Sequence, residues 1–373
     1  MAAAEAAAAA RRPLREAPFF RDFVRDVPKV ELHQHLTGSL DNASLRAALA
    51  RRGLGEDLVG AICPLSAEHQ DDAWGHLTRY CVACARAVEA TAPGGGGEAQ
   101  QQAFFAEAFA LLRAAGVIYC EIRVGLKDEP TKRAYLERLL SVVDQENASG
   151  RGLRVGVLVS VARHGDLDYG RENAEVAIAL RSEGRSAVCG VELGGVPSKR
   201  SFPEDWQPVF ERARHAGMKI ALHCGEDASK QEEWRRMIEF GPDRLGHCVL
   251  LDEANMERLL ASQIPVEACL TCHEKHFGIP VPDNIFGRLR AQSAPVVLGT
   301  DNPSIYGITL ADEYAKACEV FGLSARELVL QARSAIAMTF LDQAGRAELE
   351  GVFDAKVDHL AAKYGLRPED LLR

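Results

Sequence analysis

Eight short apolar runs, rich in β-branched residues, alternate with helix-patterned stretches, and this alternation constrains the fold more than any other feature of the chain. The runs fall at residues 27–32, 117–122, 153–161, 187–193, 219–223, 244–247, 265–270 and 295–298. Each is close to continuously apolar rather than alternating, as in parallel strands covered by helices on both faces. Helical patterns lie between them, for example at 172–182 and 252–261. Eight βα units predict an α/β protein built as one (β/α)8 barrel, with a doubly wound sheet as the competitor. The polar residues decide between the two. His33-Gln34-His35, Glu121-Ile122-Arg123, Gly194-Gly195, His223-Cys224-Gly225-Glu226, His247, Thr271 and Thr300-Asp301-Asn302 all fall at or just past the end of a run. In a barrel those carboxyl ends meet on one face, whereas an open sheet spreads them along an edge.

Composition narrows the function. With 373 residues, 47% of them hydrophobic, the chain can bury a large core, and it is too apolar to be disordered. A net charge of −9, from 44 basic against 53 acidic residues, argues against a nucleic-acid-coating surface. No run approaches the roughly 20 apolar residues of a membrane-spanning helix. Ten cysteines scattered through a long chain read as reduced thiols, which points to the cytoplasm. Cys81/Cys84 and Cys269/Cys272 have CxxC spacing, but the first pair lies in a helix-like stretch where that spacing is commonplace. Residues 1–20 are expected as a disordered leader and 21–373 as the barrel. A Gly-rich loop at 92–98 is expected as an insertion between helical segments, because helical patterning resumes at 101–115.

The chemistry starts at His33 and His35. Residues two apart on a strand face the same side, so both imidazoles converge on one point. A third histidine, His223, and a carboxylate, Asp301, end two other strands. Three imidazoles and one carboxylate suit one zinc ion with a position left for water. Glu226 and His247 stand beside this set as an acid/base pair. Read singly, Glu226 would cap the following helix and His247 would be a core histidine.

The segments VELHQHLTGS, HCGE, LGHC and LGTDNP resemble, in order and spacing, the signature segments of the adenosine deaminase family of zinc amidohydrolase barrels. HLTGS and EACLT are closer to its adenosine-deaminase-like branch, which acts on adenine-type nucleoside monophosphates carrying a substituted 6-amino group. The resemblance implies a purine nucleoside or nucleotide substrate and one Zn2+ per chain held by His33, His35, His223 and Asp301. It makes Glu226 the donor of a proton to a ring nitrogen and His247 the group that orients and deprotonates water. Gly195 would meet the purine through its backbone. Asn302 stands where the family has a second aspartate, and its amide can donate to a ring nitrogen. Thr37 replaces the family's acidic or amide residue after HxHL, and Val196 replaces an acidic residue in the glycine turn. Thr271-Cys272-His273 replaces the common Thr-Ser-Asn. Substrate-binding residues are therefore expected at Gly195, Asn302, Thr37 and His35. Arg123, Lys127, Arg163, His164 and Ser39 are candidates for a phosphate, with the pair Arg163-His164 foremost. Two other readings fit the same residues: another mononuclear amidohydrolase, and a purine-binding zinc barrel without catalysis. Val191-Glu192-Leu193 at the fourth strand end lacks the lysine that bridges two metals.

Overall fold

A computed structural model describes residues 10–89, 97–197 and 200–372. Eight parallel strands form one sheet in the order β1 to β8: Lys29–His35, Val117–Gly125, Arg154–Ala162, Val188–Gly194, Lys219–Cys224, Arg244–His247, Val266–Ala268 and Val296–Leu298. All neighbouring pairs run parallel. Past β8 the chain returns to β1: Asp301 N–H donates to the His33 carbonyl at 2.7 Å, and His35 N–H donates to the Asp301 carbonyl at 2.8 Å. That parallel bridge makes the sheet a (β/α)8 barrel. The runs read from the sequence fall on all eight strands. The expected helices also form, as Leu167–Ser182 and Glu253–Ser262, with Asp166 and Asp252 accepting N–H bonds at their N-caps. No described helix is long and apolar enough to cross a membrane.

The barrel interior is charged below the site. Arg244 donates to Glu121 at 2.5 Å and to Glu267 at 2.6 Å, and Arg123 pairs with the same Glu267. All four are fully buried or nearly so. Buried ions are tolerable only when paired and hydrogen-bonded, so these side chains hold one another in fixed positions. Glu31 completes the lattice, accepting from His33 N–H at 2.8 Å and Thr300 Oγ1 at 2.8 Å.

The leader ends earlier than the composition implied. Residues 1–9 lie outside the described residues. From Ala10 the chain is packed: Ala10 and Leu14 are buried, Leu14 N–H donates to the Leu323 carbonyl at 2.9 Å, and Pro13 bridges Ser324. The apolar side chains Leu14, Phe20, Phe23 and Val24 give this segment a face to bury, which the alanine-rich composition conceals. Of the Gly-rich insertion, residues 92–96 lie outside the described residues. The helix that follows begins at Gly97 and runs to Ala114.

Candidate active site and metal centre

His33, His35, His223 and Asp301 come together at the carboxyl end of the barrel, with one donor atom of each within 4.8 Å of all the others. His35 Nε2 lies 3.3 Å from His223 Nε2, and Asp301 Oδ1 lies 3.4 Å from His35 Nε2 and 3.8 Å from His33 Nε2. Ligand bonds of about 2.0–2.2 Å in a tetrahedron put donor atoms roughly 3.3–3.5 Å apart, so the set is already near the spacing a zinc ion demands. Among the described residues His33 Nε2 is buried with no hydrogen-bond partner, an orphaned lone pair aimed at the centre of the group.

Groups one layer out fix which nitrogen each ring presents. His33 Nδ1 lies 2.7 Å from Glu267 Oε2, so Nδ1–H points to the carboxylate and Nε2 is left to coordinate. His223 Nδ1 donates to the Leu193 carbonyl at 2.9 Å and lies 3.0 Å from Glu192 Oε2, which again frees Nε2. Burial holds His35 down at about 3 and His33 well below the ordinary range, so both rings are neutral, the form that binds metal. Burial opposes a charge on His223 too, but Glu192 outweighs it and draws that pKa upward. Burial raises the Asp301 carboxyl to about 6. A buried carboxylate facing three imidazole lone pairs is a site short of positive charge, and the donor set fits zinc.

Backbone strain marks the same place. Asp301 and His247 both adopt left-handed conformations, with φ of 59° and 63°. Non-glycine residues accept these at a cost of about 1–3 kcal/mol, and such residues cluster at active sites.

Glu226 and His247 complete the arrangement, with His247 Nε2 3.7 Å from Glu226 Oε1. Glu226 is not a helix cap. Its carboxylate pairs with the buried guanidinium of Arg163, which also donates to the Gly195 carbonyl at 2.6 Å. On its other side His247 Nδ1 lies 3.2 Å from His273 Nε2. The side chain of Asn284 accepts from Phe286 N–H through Oδ1, so its amide N–H faces His273 Nδ1 at 2.9 Å. His273 Nε2 also receives the Cys269 N–H at 3.4 Å, so it lies between a backbone donor and His247 Nδ1 and holds the His247 ring from behind.

A cavity of about 120 Å³ opens over the group, lined by His35, Thr37, Gly195, His223, Glu226 and Asn302 among others. All four substrate-binding candidates therefore face it. Trp74, Leu77 and Phe277 wall its outer side. Gly195 has φ of 86°, and a Cβ there would sit 2.5 Å from His164 Nδ1, so only glycine fits against that ring. Asn302 donates from Nδ2 to Asp301 Oδ1 at 2.7 Å and lies against Gly38, where a Cβ would fall 2.2 Å from its Oδ1. A larger groove of about 570 Å³ lies on the outer side of β1, beyond Gln34 and Ser39, and reaches none of the metal-centre residues.

The phosphate candidates separate. Arg123 is buried in the interior on Glu267, Arg163 is committed to Glu226, and Ser39 donates to the His35 carbonyl at 2.5 Å. Lys127 and His164 remain near the mouth, where the charge of Lys127 acts on both His164 and Cys81. The sequence reading missed Glu192, Glu267 and His273. The first two carried a signal, since an acidic residue inside an otherwise apolar strand needs a partner. His273 carried none, because its role depends on where Asn284 returns.

The adenosine deaminase family matches residues 28–356. The adenosine deaminase-like protein of Drosophila melanogaster is 29% identical over 319 residues, covering 82% of this chain and 89% of that protein. N6-mAMP deaminase of Arabidopsis thaliana is 28% identical over 360 residues, covering 90% of this chain and 98% of that protein. The crystal structure of Arabidopsis ADAL complexed with IMP shares the fold, with a TM-score of 0.80 at 24% identity over 90% of this chain and 98% of that one. The family match spans the strands that carry all six residues of the centre, from His33 to Asp301, and the chain belongs to the adenosine deaminase family of hydrolytic deaminases.

Proposed function

We propose that this protein is a zinc-dependent deaminase of N6-substituted adenosine monophosphate, with one zinc per chain held by His33, His35, His223 and Asp301. Water adds at the purine carbon that bears the amino group, and the carbon–nitrogen bond breaks. The products are inosine monophosphate and ammonia, or an alkylamine where the amino group is substituted. The observation that carries this reading is the four-donor group with Glu226 and His247 standing over it. Similar proteins support the substrate: relatives in Xenopus laevis, Bos taurus and Homo sapiens are named N6-methyl-AMP deaminases, at 28%, 25% and 25% identity.

Zinc, when bound, supplies Lewis-acid activation of a water as nucleophile at neutral pH. The protein's own groups do the rest. Glu226 delivers a proton to a ring nitrogen, which makes the neighbouring carbon open to attack, a contribution of about 10²–10⁴-fold for a well-placed acid. Arg163 holds that carboxyl in place. His247 orients the attacking oxygen and takes up its proton as the new bond forms, and that proton passes on to the departing amine. The backbone of Gly195 and the amide of Asn302 receive the purine edge, Thr37 reaches the sugar, and Lys127 with His164 receives the phosphate. Ten free thiols suit a reducing compartment, and we place the protein in the cytoplasm.

The test is amine release from zinc-replete protein with N6-methyl-AMP, AMP, adenosine and adenine. The expected order places N6-methyl-AMP highest in kcat/KM. A higher value for adenosine or adenine overturns the nucleotide assignment.

A further inference from the structure

A second group of metal-ligating side chains stands apart from the barrel mouth: Cys63, His69 and His76, whose donor atoms lie within 4.8 Å of one another. Cys63 follows the short helix Glu56–Ala61, His69 sits in the 3-10 turn Ala67–Asp72, and His76 lies in the first turn of the helix Ala73–Val88. The spacing, with five residues and then six between ligands, brings three successive pieces of chain to one point.

His76 offers one nitrogen to the group. His76 is 2% exposed, and its Nε2 lies 3.0 Å from the Cys63 carbonyl, so Nε2–H is committed to that oxygen and Nδ1 is free to coordinate. Burial, the largest influence on His76, keeps the ring in its neutral form. His69 packs against it with ring centroids 4.2 Å apart, and its Nδ1 accepts the Ser66 N–H at 3.2 Å and faces Ser66 Oγ at 2.9 Å, so a metal would draw this ring away from its local contact with Ser66. Cys63 is a free, partly exposed thiol. One thiolate and two imidazoles form a ligand set for zinc, with the fourth position open to water.

We propose that Cys63, His69 and His76 form a second, sulfur-containing zinc site that staples the helix Ala73–Val88 to the segment before it. Binding releases the thiol proton to solvent and leaves a site of net charge +1. Rotations that draw the donors in by roughly 1 Å give ordinary Zn–S and Zn–N distances. The staple bears on the active site through the helix it holds, because Trp74, Leu77 and Cys81 of that helix line the cavity. The other end is anchored too, since Leu65 N–H donates to the Ile305 carbonyl at 2.6 Å.

The test uses the full chain, stripped with chelator and reloaded with zinc or cobalt. Two metal equivalents per chain are expected in the parent protein and one in Cys63→Ser and in His76→Gln. Cobalt-loaded parent protein is expected to show a thiolate-to-cobalt charge-transfer band that Cys63→Ser lacks, because the active-site ligands contain no sulfur. A single equivalent in the parent, or a sulfur band that survives in Cys63→Ser, overturns the site. A measurement on the parent alone guards against misfolded variants: zinc is expected to slow alkylation of Cys63, read by peptide mass spectrometry, by about tenfold or more, since coordination removes the nucleophilic thiolate. Equal labelling of Cys63 with and without zinc overturns it as well.

Discussion

Asp301 donates its backbone N–H to the carbonyl of His33 at 2.7 Å, so the seam that closes the barrel joins two residues whose side chains meet at the metal centre. Closure of the fold and assembly of the ligand set are one event. The backbone and side-chain contributions of Asp301 can still be separated, because its φ of 59° favours glycine. Asp301→Ala and Asp301→Gly both lose zinc and activity. The alanine variant is also less stable than the glycine variant by about 1 kcal/mol, the cost of forcing a Cβ into the left-handed region. Elemental analysis and denaturant unfolding measure the two effects. His223→Ala, whose Nδ1 is held by Leu193 and Glu192, is expected to lose zinc likewise. Full zinc occupancy in any of the three removes that residue from the ligand set.

Glu226 offers a cleaner test of chemistry, because its partner Arg163 can still donate to an amide oxygen. Glu226→Gln keeps zinc and KM but loses kcat by at least ~100-fold, as expected when a general acid is removed without disturbing binding. A loss of only a few-fold would assign the acid to another residue.

His273 acts through His247. Replacing it with Phe removes the ring nitrogen that lies 3.2 Å from His247 Nδ1 and leaves the His247 ring without that polar contact. Loss of an orienting partner costs about 10–100-fold. The expected result for His273→Phe is a fall of that size in kcat with KM little changed, and partial recovery in His273→Gln, which keeps a polar group at that place. If the Phe and Gln variants lose kcat equally, His273 is a packing residue rather than an orienting one.

Most of the barrel, and the set of residues that gathers at its mouth, was legible in the sequence, because parallel strands announce themselves as apolar runs and histidines and carboxylates at strand ends stand out against them. What stayed hidden depends on chain return. Arg163 directly follows a strand and has the composition of a phosphate ligand, yet its guanidinium turns inward to Glu226, 63 residues further on. Asn284 and His273 are 11 residues apart and hydrogen-bond only because a helix and a 3-10 turn fold one over the other. Leu14 was read with the alanine-rich leader because its partner, Leu323, lies at the far end of the chain. Local patterns report which face of an element is apolar, and not which polar groups meet across the mouth.

Glu313 predicts a pH effect on stability. Its carboxylate accepts from Thr271 N–H at 3.0 Å at the start of the helix that carries Cys272 and His273. Burial pushes its pKa from 4.5 up to about 7. A carboxyl raised in the folded state contributes stability that is complete below pH 4.5 and is lost as pH rises through about 7. Glu313→Gln retains the acceptor without the charge. It is expected to be more stable than the parent protein by roughly 1–3 kcal/mol at pH 8 and indistinguishable from it at pH 4. Urea unfolding at both pH values checks this. Equal stability at pH 8 would mean that the Glu313 carboxylate is solvated or paired well enough to bear its charge.

Asn302 bears on specificity. Its Nδ2 donates to Asp301 Oδ1 at 2.7 Å, so it faces the carboxylate of the proposed zinc ligand on one side and the cavity on the other. An aspartate at 302 would put a second carboxylate against the first. Like charges at that distance cannot both ionise freely, so one carboxyl would hold its proton to higher pH. The asparagine avoids this and offers an N–H at every pH. Asn302→Asp should therefore retain zinc, because the four ligands are untouched, and should change how the base is read. A mispaired buried polar group costs about 1–3 kcal/mol, a factor of roughly 5–150 in relative kcat/KM. The ranking of adenosine, AMP and N6-methyl-AMP is expected to shift by that factor. Activity of the variant should also fall as pH rises through the pKa of the new carboxyl, since only the protonated form can donate to a ring nitrogen. The parent protein, with an amide there, lacks that dependence. The measurement is kcat/KM for the three substrates in both proteins between pH 5 and 9. An unchanged ranking and an unchanged pH profile would mean that residue 302 serves only to hold Asp301, and that the purine edge is read elsewhere in the cavity.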